Sequence, residues 1–99
     1  MAFLYVAEFS TFGMDPNTGQ AVAKVPPLVE QKLANAGAAV LSSAFNAATR
    51  FVRLHTDSIC SVAFGAAPVA TTSNMRFAAN QTEYFAVNAG DSLSVILNT

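Results

Sequence analysis

The feature that most constrains the fold is a succession of short β-strand patterns separated by turn-forming residues. Apolar and polar residues alternate within these patterns, which recur about every 8–12 residues. They lie at FLYVAEF (3–9), at 28–33, at 51–56, at 59–64, and at MRFAAN, TEYFAV and SLSVILN toward the end. Short strands at this spacing are typical of sandwiches and jelly rolls. The sequence therefore predicts an all-β, jelly-roll-like β-sandwich of seven or eight antiparallel strands, as a single domain over residues 1–99.

The region between the first two strand patterns is dense in turn formers. Residues 10–22 contain Gly13 and the stretch DPNTG at 15–19, so we predict a loop with room for a short pairing element. DPNTG is similar to the start of a calcium loop but lacks its acidic twelfth position, which favours a plain turn. Pro26 and Pro27 then exclude a helix interior or a central strand.

The stretch 34–51 is ambiguous. Its many alanines suit a helix on propensity alone. Gly37 and the pair Ser42-Ser43 weaken the helix, and every pattern downstream is strand-like. We therefore favour a strand at Val40–Ala44 and keep the helix as the alternative.

Composition indicates that the protein works in an assembly. A chain of 99 residues has a small core, and small domains often need disulfides, metals or oligomerisation. Cys60 is the only cysteine, and Cys60 with the single histidine cannot fill a zinc shell. Charged residues make up 11%, against about 25% in an average domain. We expect a surface covered by copies or a partner; an ordinary alanine-rich domain is the alternative.

Charge and hydropathy argue against two kinds of partner. The net charge is −1 and there is no basic tail, so we expect no nucleic acid. No apolar run approaches 18 residues, so we expect no membrane. The first ten residues lack a Lys/Arg region and include Glu8, which does not fit a signal peptide. A single cysteine suits synthesis in a cytosol.

The stretch from Thr49 to Gly65 raises the question of catalysis. If Asp57-Ser58 is a two-residue hairpin turn, His55 lies directly opposite Cys60, with about 4.5–5.5 Å between the Cβ atoms. A Cys–His dyad would be within reach at that distance.

Against the dyad, the same register groups residues that become more apolar away from the turn, as in a core. The residues on that shared face are Phe51, Arg53, His55, Cys60, Val62 and Phe64. No glycine-rich oxyanion loop follows, and the six acidic residues show no glycosidase-like spacing. We therefore predict a structural hairpin, no enzyme activity, and no catalytic, cofactor or metal residues.

Two sets of residues are predicted at an interface. The N-terminal stretch is rich in aromatic residues, namely Phe3, Tyr5, Phe9 and Phe12. This exceeds what one small core needs, so segment 1–12 is interpreted as an interface arm, with core packing as the alternative. Arg50, Arg53 and Arg76 are candidates for bidentate pairs with carboxylates of a partner, with plain solvation as the alternative.

The second half of the chain resembles a known group of proteins. The resemblance runs from Ser43 to Ile96, about half of the chain, and rests on four stretches in order: VRLHTD, VAFG, APVATTSNMRFAAN and EYFAVNAGDSLSVI. These resemble small virion proteins of tailed bacteriophages, which include capsid decoration (cement) proteins of β-sandwich or jelly-roll type. The N-terminal half departs from this pattern.

The resemblance implies a non-enzymatic bacteriophage structural protein that binds and stabilises the major capsid protein lattice. It would be synthesised in the bacterial host cytoplasm and located on the capsid exterior, as a homotrimer or, alternatively, a homodimer. Other functions stay open: a neck, tail or head-fibre module, or a receptor- or carbohydrate-binding β-sandwich.

Overall fold

The structure, a computed structural model, describes residues 2–14 and 16–99. The predictions for 1–12, for 1–99 and for the turn at DPNTG each include Met1 or Asp15, which lie outside the described residues. Over the described residues the chain is all-β and contains no helix. The strands are β1 (Phe3–Phe9), β2 (Phe12–Met14), β3 (Ala21–Ala23), β4 (Val29–Ala34), β5 (Val40–Leu41), β6 (Phe51–Thr56), β7 (Cys60–Gly65), β8 (Met75–Phe77), β9 (Thr82–Ala86) and β10 (Ser92–Leu97).

Eight of these strands form two four-stranded antiparallel sheets. The first sheet has the order β4-β1-β6-β9 and the second has the order β5-β10-β7-β8. The remaining two, β2 and β3, pair with each other as a hairpin where the sequence predicted a loop with a short pairing element. This arrangement confirms the predicted all-β antiparallel sandwich.

The core lies between the two sheets because each central strand presents every second residue to it. In the first sheet these residues include Leu4 and Val6 on β1 and Val52 and Leu54 on β6. The second sheet contributes Cys60, Val62, Phe77, Leu93 and Val95. Burying one such Leu, Val or Phe side chain contributes about 1.5–3 kcal/mol, so this double layer supplies most of the folding free energy.

The predicted hairpin between β6 and β7 is wrong, because the two strands belong to different sheets. Asp57 bonds to the start of β1 instead: its N–H donates to the Phe3 carbonyl (3.0 Å), and its Oδ2 accepts from the Phe3 N–H (3.2 Å). The Thr56 hydroxyl donates to the Ser58 carbonyl at 2.6 Å. Residues 57–59 therefore carry the chain across to the second sheet.

The predicted common face of β6 and β7 is wrong for the same reason. Arg53 and His55 point outward from the first sheet, whereas Cys60 and Val62 point into the core from the second. The sequence does carry a signal for this outcome. In a hairpin of β6 and β7, each face of the sheet would carry both polar and apolar residues. When the chain instead crosses from one sheet to the other, Val52, Cys60 and Val62 all point into the same core.

The ambiguous stretch 34–51 is mostly a connection between the end of β4 at Ala34 and the start of β6 at Phe51, and the strand predicted at Val40–Ala44 is confined to Val40–Leu41. A buried carboxylate on β1 holds the end of this connection. Glu8 Oε1 accepts from the Asn46 N–H and the Thr49 hydroxyl, both at 2.8 Å, and Glu8 Oε2 accepts from the Gln31 amide at 2.9 Å. Three donors thus satisfy the hydrogen-bonding capacity of a carboxyl group that has no exposure to solvent, as a buried polar group requires.

The centre of the outward side of the second sheet is covered by its own chain. Ser61 and Ser94 alternate with core residues and so point outward, yet both are buried. The Ala70 N–H donates to Ser94 Oγ at 3.0 Å, and Asn98 Nδ2 donates to Ser61 Oγ at 2.7 Å and to the Thr72 carbonyl at 3.1 Å. Residues 66–74 therefore fold back over this side.

Candidate binding surface on the first sheet

The outward side of the first sheet, which we call the open face, is built from cross-strand rows. One row places Tyr5 between Lys32 on β4 and His55 on β6. The next row places Ala7 between Glu30 on β4 and Arg53 on β6. Directly opposed residues lie about 4.5–5.5 Å apart at Cβ, so the two rows form one continuous patch.

A depression of about 400 Å³ lies over Ala7 in the middle of the open face. The outward-facing residues that line it are Tyr5, Ala7, Glu30, Lys32, Arg53 and His55. Its cause is local: Ala7 carries only a methyl group, while its neighbours two residues away on the same face of β1 are the aromatic residues Tyr5 and Phe9. A small residue between large ones in a central strand leaves a hollow.

The walls of the depression are positioned by contacts with the neighbouring strands. The ammonium group of Lys32 lies over the Phe3 ring, 4.1 Å from its centroid, and 5.9 Å from the centroid of the Tyr5 ring. His55 Nδ1 lies 2.7 Å from Thr82 Oγ1, which directs the other ring nitrogen, Nε2, away from that contact. Two basic groups are thus held in place before any ligand arrives.

An apolar surface adjoins one end of the open face. We call it the hairpin patch; its large members are Phe12, Met14, Val22 and Tyr84, which are 54%, 64%, 46% and 53% exposed. Phe12 stacks on Phe51 with 4.1 Å between ring centroids and 7° between ring planes. This stack fixes the β2–β3 hairpin to the sheet while leaving half of the Phe12 side chain accessible. Phe12, Val22 and Tyr84 also border a shallow hollow of about 250 Å³.

The predicted aromatic interface residues divide between surface and interior. Tyr5 and Phe12 are exposed and Phe3 is half-buried, whereas Phe9 is buried and stacks on Phe51 with 5.0 Å between centroids. Residues 3–9 form a central strand rather than a free arm, so only outward side chains of segment 1–12 are available to a partner. Their role at an interface stays a prediction.

The predicted arginines lie in three separate places. Arg53 lines the depression, and Arg50 is exposed just before β6 begins. Arg76 lies on β8 of the second sheet, where its Nε donates to the Thr99 carbonyl at 3.3 Å. The structure therefore groups only one of them with the aromatic residues. Sequence reasoning missed Ala7, Glu30 and Lys32; once strand pairing is known, the small residue in an aromatic row is the signal that finds them.

His55 and Cys60 do not form a dyad. His55 lies on the open face, and Cys60 is fully buried in the core, on the other side of the sheet. Burial raises the pKa of the Cys60 thiol, and a hydrogen bond with Thr56 Oγ1 at 3.5 Å lowers it by less. The group is a protonated, buried thiol, which is the unreactive form of cysteine.

The part of the chain that the structure describes holds neither a cluster of metal ligands nor a membrane-spanning helix. No group of three or more His, Cys, Asp or Glu side chains there is placed to hold a metal ion. Within residues 2–14 and 16–99 there is no helix of the length and apolarity needed to cross a membrane. No family model, no curated protein and no solved structure matches the chain. What the protein does has to be inferred from the two surfaces on and beside the first sheet.

Proposed function

We propose that the protein is a non-enzymatic bacteriophage structural protein that decorates the capsid, with the major capsid protein as its partner. The observation that carries this proposal is the hairpin patch: four large apolar side chains, each about half exposed, cluster around one hairpin. Exposed apolar clusters of this kind mark interaction sites in soluble proteins. The class of partner is proposed from the sequence resemblance of residues 43–96 to tailed-phage virion proteins.

The chemistry of the patch fits a contact between proteins. Aromatic residues and methionine are enriched at the centre of protein interfaces, where charged residues are depleted. Phe12, Met14 and Tyr84 supply those residue types, and Phe51 supports Phe12 from below. One copy of such a patch gives a modest contact, so decoration at many capsid positions favours a homotrimer, with a homodimer as the alternative, because linked sites bind by avidity.

The proposal is tested by measuring where the protein occurs and how it binds. Purified virions are expected to contain hundreds of copies, on the capsid exterior. Copy numbers of a few tens would instead assign it to a neck, tail or head-fibre structure, and absence from virions would contradict a virion role altogether. Light scattering on the free protein determines the oligomer order.

Substitutions then test the patch itself. Met14→Ser and Tyr84→Ser are expected to reduce binding to capsids that lack the protein, because each removes apolar surface from the contact. Val69→Ser is the matched control, since Val69 is 73% exposed but belongs to the segment that covers the second sheet. Equal binding by all three variants would contradict docking through the hairpin patch.

A further inference from the structure

The depression over Ala7 concentrates the few charges of this protein. The chain has five Lys or Arg residues and one His, and the depression is lined by Lys32, Arg53 and His55. A surface poor in charge thus places half of its basic side chains around one hollow. Their arrangement on β4 and β6, on either side of β1, surrounds the hollow from two directions.

The charges of the second row are not used inside the protein. Glu30 and Arg53 flank Ala7 from opposite sides, and neither side chain forms a hydrogen bond or ion pair with another described residue. The guanidinium group of Arg53 and the carboxylate of Glu30 therefore face the same hollow, and both can form hydrogen bonds with a ligand. The fork matches a carboxylate of a ligand in bidentate geometry.

We propose that this depression binds a carboxylated sugar, that is, a uronic acid residue. Arg53 and His55 bind its carboxylate, Glu30 accepts hydrogen bonds from its hydroxyl groups, and Tyr5 packs against its C–H face. Tyr5 is 39% exposed, which leaves part of its ring free for this contact. A volume of about 400 Å³ lies within the usual range for small-molecule sites.

Glu30 decides between a sugar and an acidic peptide. An acidic peptide needs positive charge on all sides, and a carboxylate across the hollow repels it. A uronic acid carries one carboxylate and several hydroxyl donors, so it suits a hollow in which Arg53 and His55 on β6 face the carboxylate of Glu30 on β4, with Lys32 beside Glu30. No residue of the hairpin patch lines the depression, although Tyr84 lies directly opposite Arg53 on the adjacent strand. Met14 is not part of the depression, so Met14→Ser tests capsid docking separately from sugar binding.

The test is a titration of the ¹⁵N-labelled full chain, followed by amide chemical shifts. The probe is sodium galacturonate; galactose is the neutral counterpart and acetate is the bare carboxylate. We expect saturable shifts centred on Ala7, Lys32 and Arg53 with galacturonate. Galactose and acetate are each expected to bind at least roughly tenfold more weakly, because each lacks one half of the recognition.

Variants locate the site. Arg53→Gln removes the fork and Ala7→Leu fills the hollow, and both are expected to weaken galacturonate binding by roughly tenfold or more. Arg50→Gln is the matched control: it removes an exposed arginine just before the same strand, outside the depression, and is expected to bind as the wild type does. Preserved amide dispersion shows that each variant is folded.

Three results would overturn the proposal. Equal affinities for galacturonate and acetate would show an adventitious anion only. Shifts centred away from the depression, or equal loss in Arg50→Gln and Arg53→Gln, would remove the site. Tighter binding of a glutamate-rich peptide than of galacturonate would assign the surface to a protein partner.

Discussion

The outward sides of the two sheets are treated in opposite ways by the same chain. On the second sheet, Ser61 and Ser94 are buried under residues 66–74 and bonded to that segment or to Asn98. On the first sheet, Tyr5 and Tyr84 stay exposed beside unpaired charges. Sheets of a sandwich commonly leave one side to solvent. Here the serine-lined centre of the second sheet is covered, with Leu41 and Arg76 exposed at its edges, whereas the aromatic and charged centre of the first sheet is open.

This difference separates structural from functional surface. Short serine side chains let a covering segment approach closely, and the Ser94 hydroxyl accepts a hydrogen bond from the Ala70 N–H of that segment. On the first sheet the β2–β3 hairpin covers only the end at Phe9 and Phe51, and the part around Ala7 stays open. The uncovered part of the first sheet carries Tyr5, Arg53 and His55, and we therefore expect binding there. Substitutions on each side should therefore differ in their effect on the free energy of unfolding.

The largest expected loss of stability follows substitution of Glu8, because this residue fixes the end of the connection between β5 and β6 to β1. Glu8→Ala leaves the Asn46 N–H and the buried Thr49 hydroxyl without their acceptor, and it leaves the Gln31 amide with only the Ser43 carbonyl at 3.5 Å. We expect a loss of about 3–5 kcal/mol in the free energy of unfolding, measured by urea denaturation.

Glu8→Gln keeps the side-chain volume and one acceptor oxygen, so its loss should be smaller, about 1–2 kcal/mol. Glu30→Ala on the open face is the matched control and should change stability by less than about 0.5 kcal/mol. Equal losses in the free energy of unfolding for Glu30→Ala and Glu8→Ala would mean that the buried Glu8 stabilises the fold no more than the exposed Glu30 does.

The next effect compares one hydroxyl on each side. Ser94→Ala removes the acceptor of the buried Ala70 N–H, so we expect a loss of about 1–3 kcal/mol and faster hydrogen exchange at Ala70. Thr82→Ala removes an exposed hydroxyl bonded to His55 and should cost less than about 0.5 kcal/mol. Similar losses in thermal denaturation of the two variants would mean that the covering segment adds no stability.

Much of the fold could be predicted because strand alternation is local. The first strand matches FLYVAEF, and the alternating pattern SLSVILN forms β10, from which Leu93 and Val95 lie in the core. Pairing between strands is not local. The choice between a hairpin and a crossing at Asp57 depends on its bonds to Phe3, which is 54 residues away along the chain.

The same limit applies to the candidate site. Arg53 and Tyr5 were singled out from the sequence for their residue types. Their meeting around Ala7 requires the register of three strands, of which β4 and β6 are far from β1 in sequence. The role of Glu8 had a local signal, since it falls in the inward row of an alternating strand, after Leu4 and Val6.

A smaller effect on stability is expected from Cys60, which lies in the core between the two sheets. Because burial raises the pKa of Cys60 in the folded state, the thiol stabilises the fold fully below its unfolded pKa, near 9.0. That contribution is lost as pH rises through the higher folded value. The stability advantage of the wild type over Cys60→Ala should therefore decrease as the pH rises above about 9. An advantage that is constant with pH, measured by urea denaturation, would contradict a dry interior.

The smallest expected effect concerns how firmly the open face is preorganised. Lys32 lies over the Phe3 ring, and an exposed cation–π contact contributes about 0.5–1 kcal/mol. A double-mutant cycle of Lys32→Gln and Phe3→Leu should show a coupling energy of about 0.5 kcal/mol in urea unfolding, whereas Lys24→Gln with Phe3→Leu should show none. Zero coupling for Lys32 would mean that this wall of the depression is mobile. In that case a ligand would have to order Lys32 on binding, which weakens affinity because the side-chain entropy is then lost at that step.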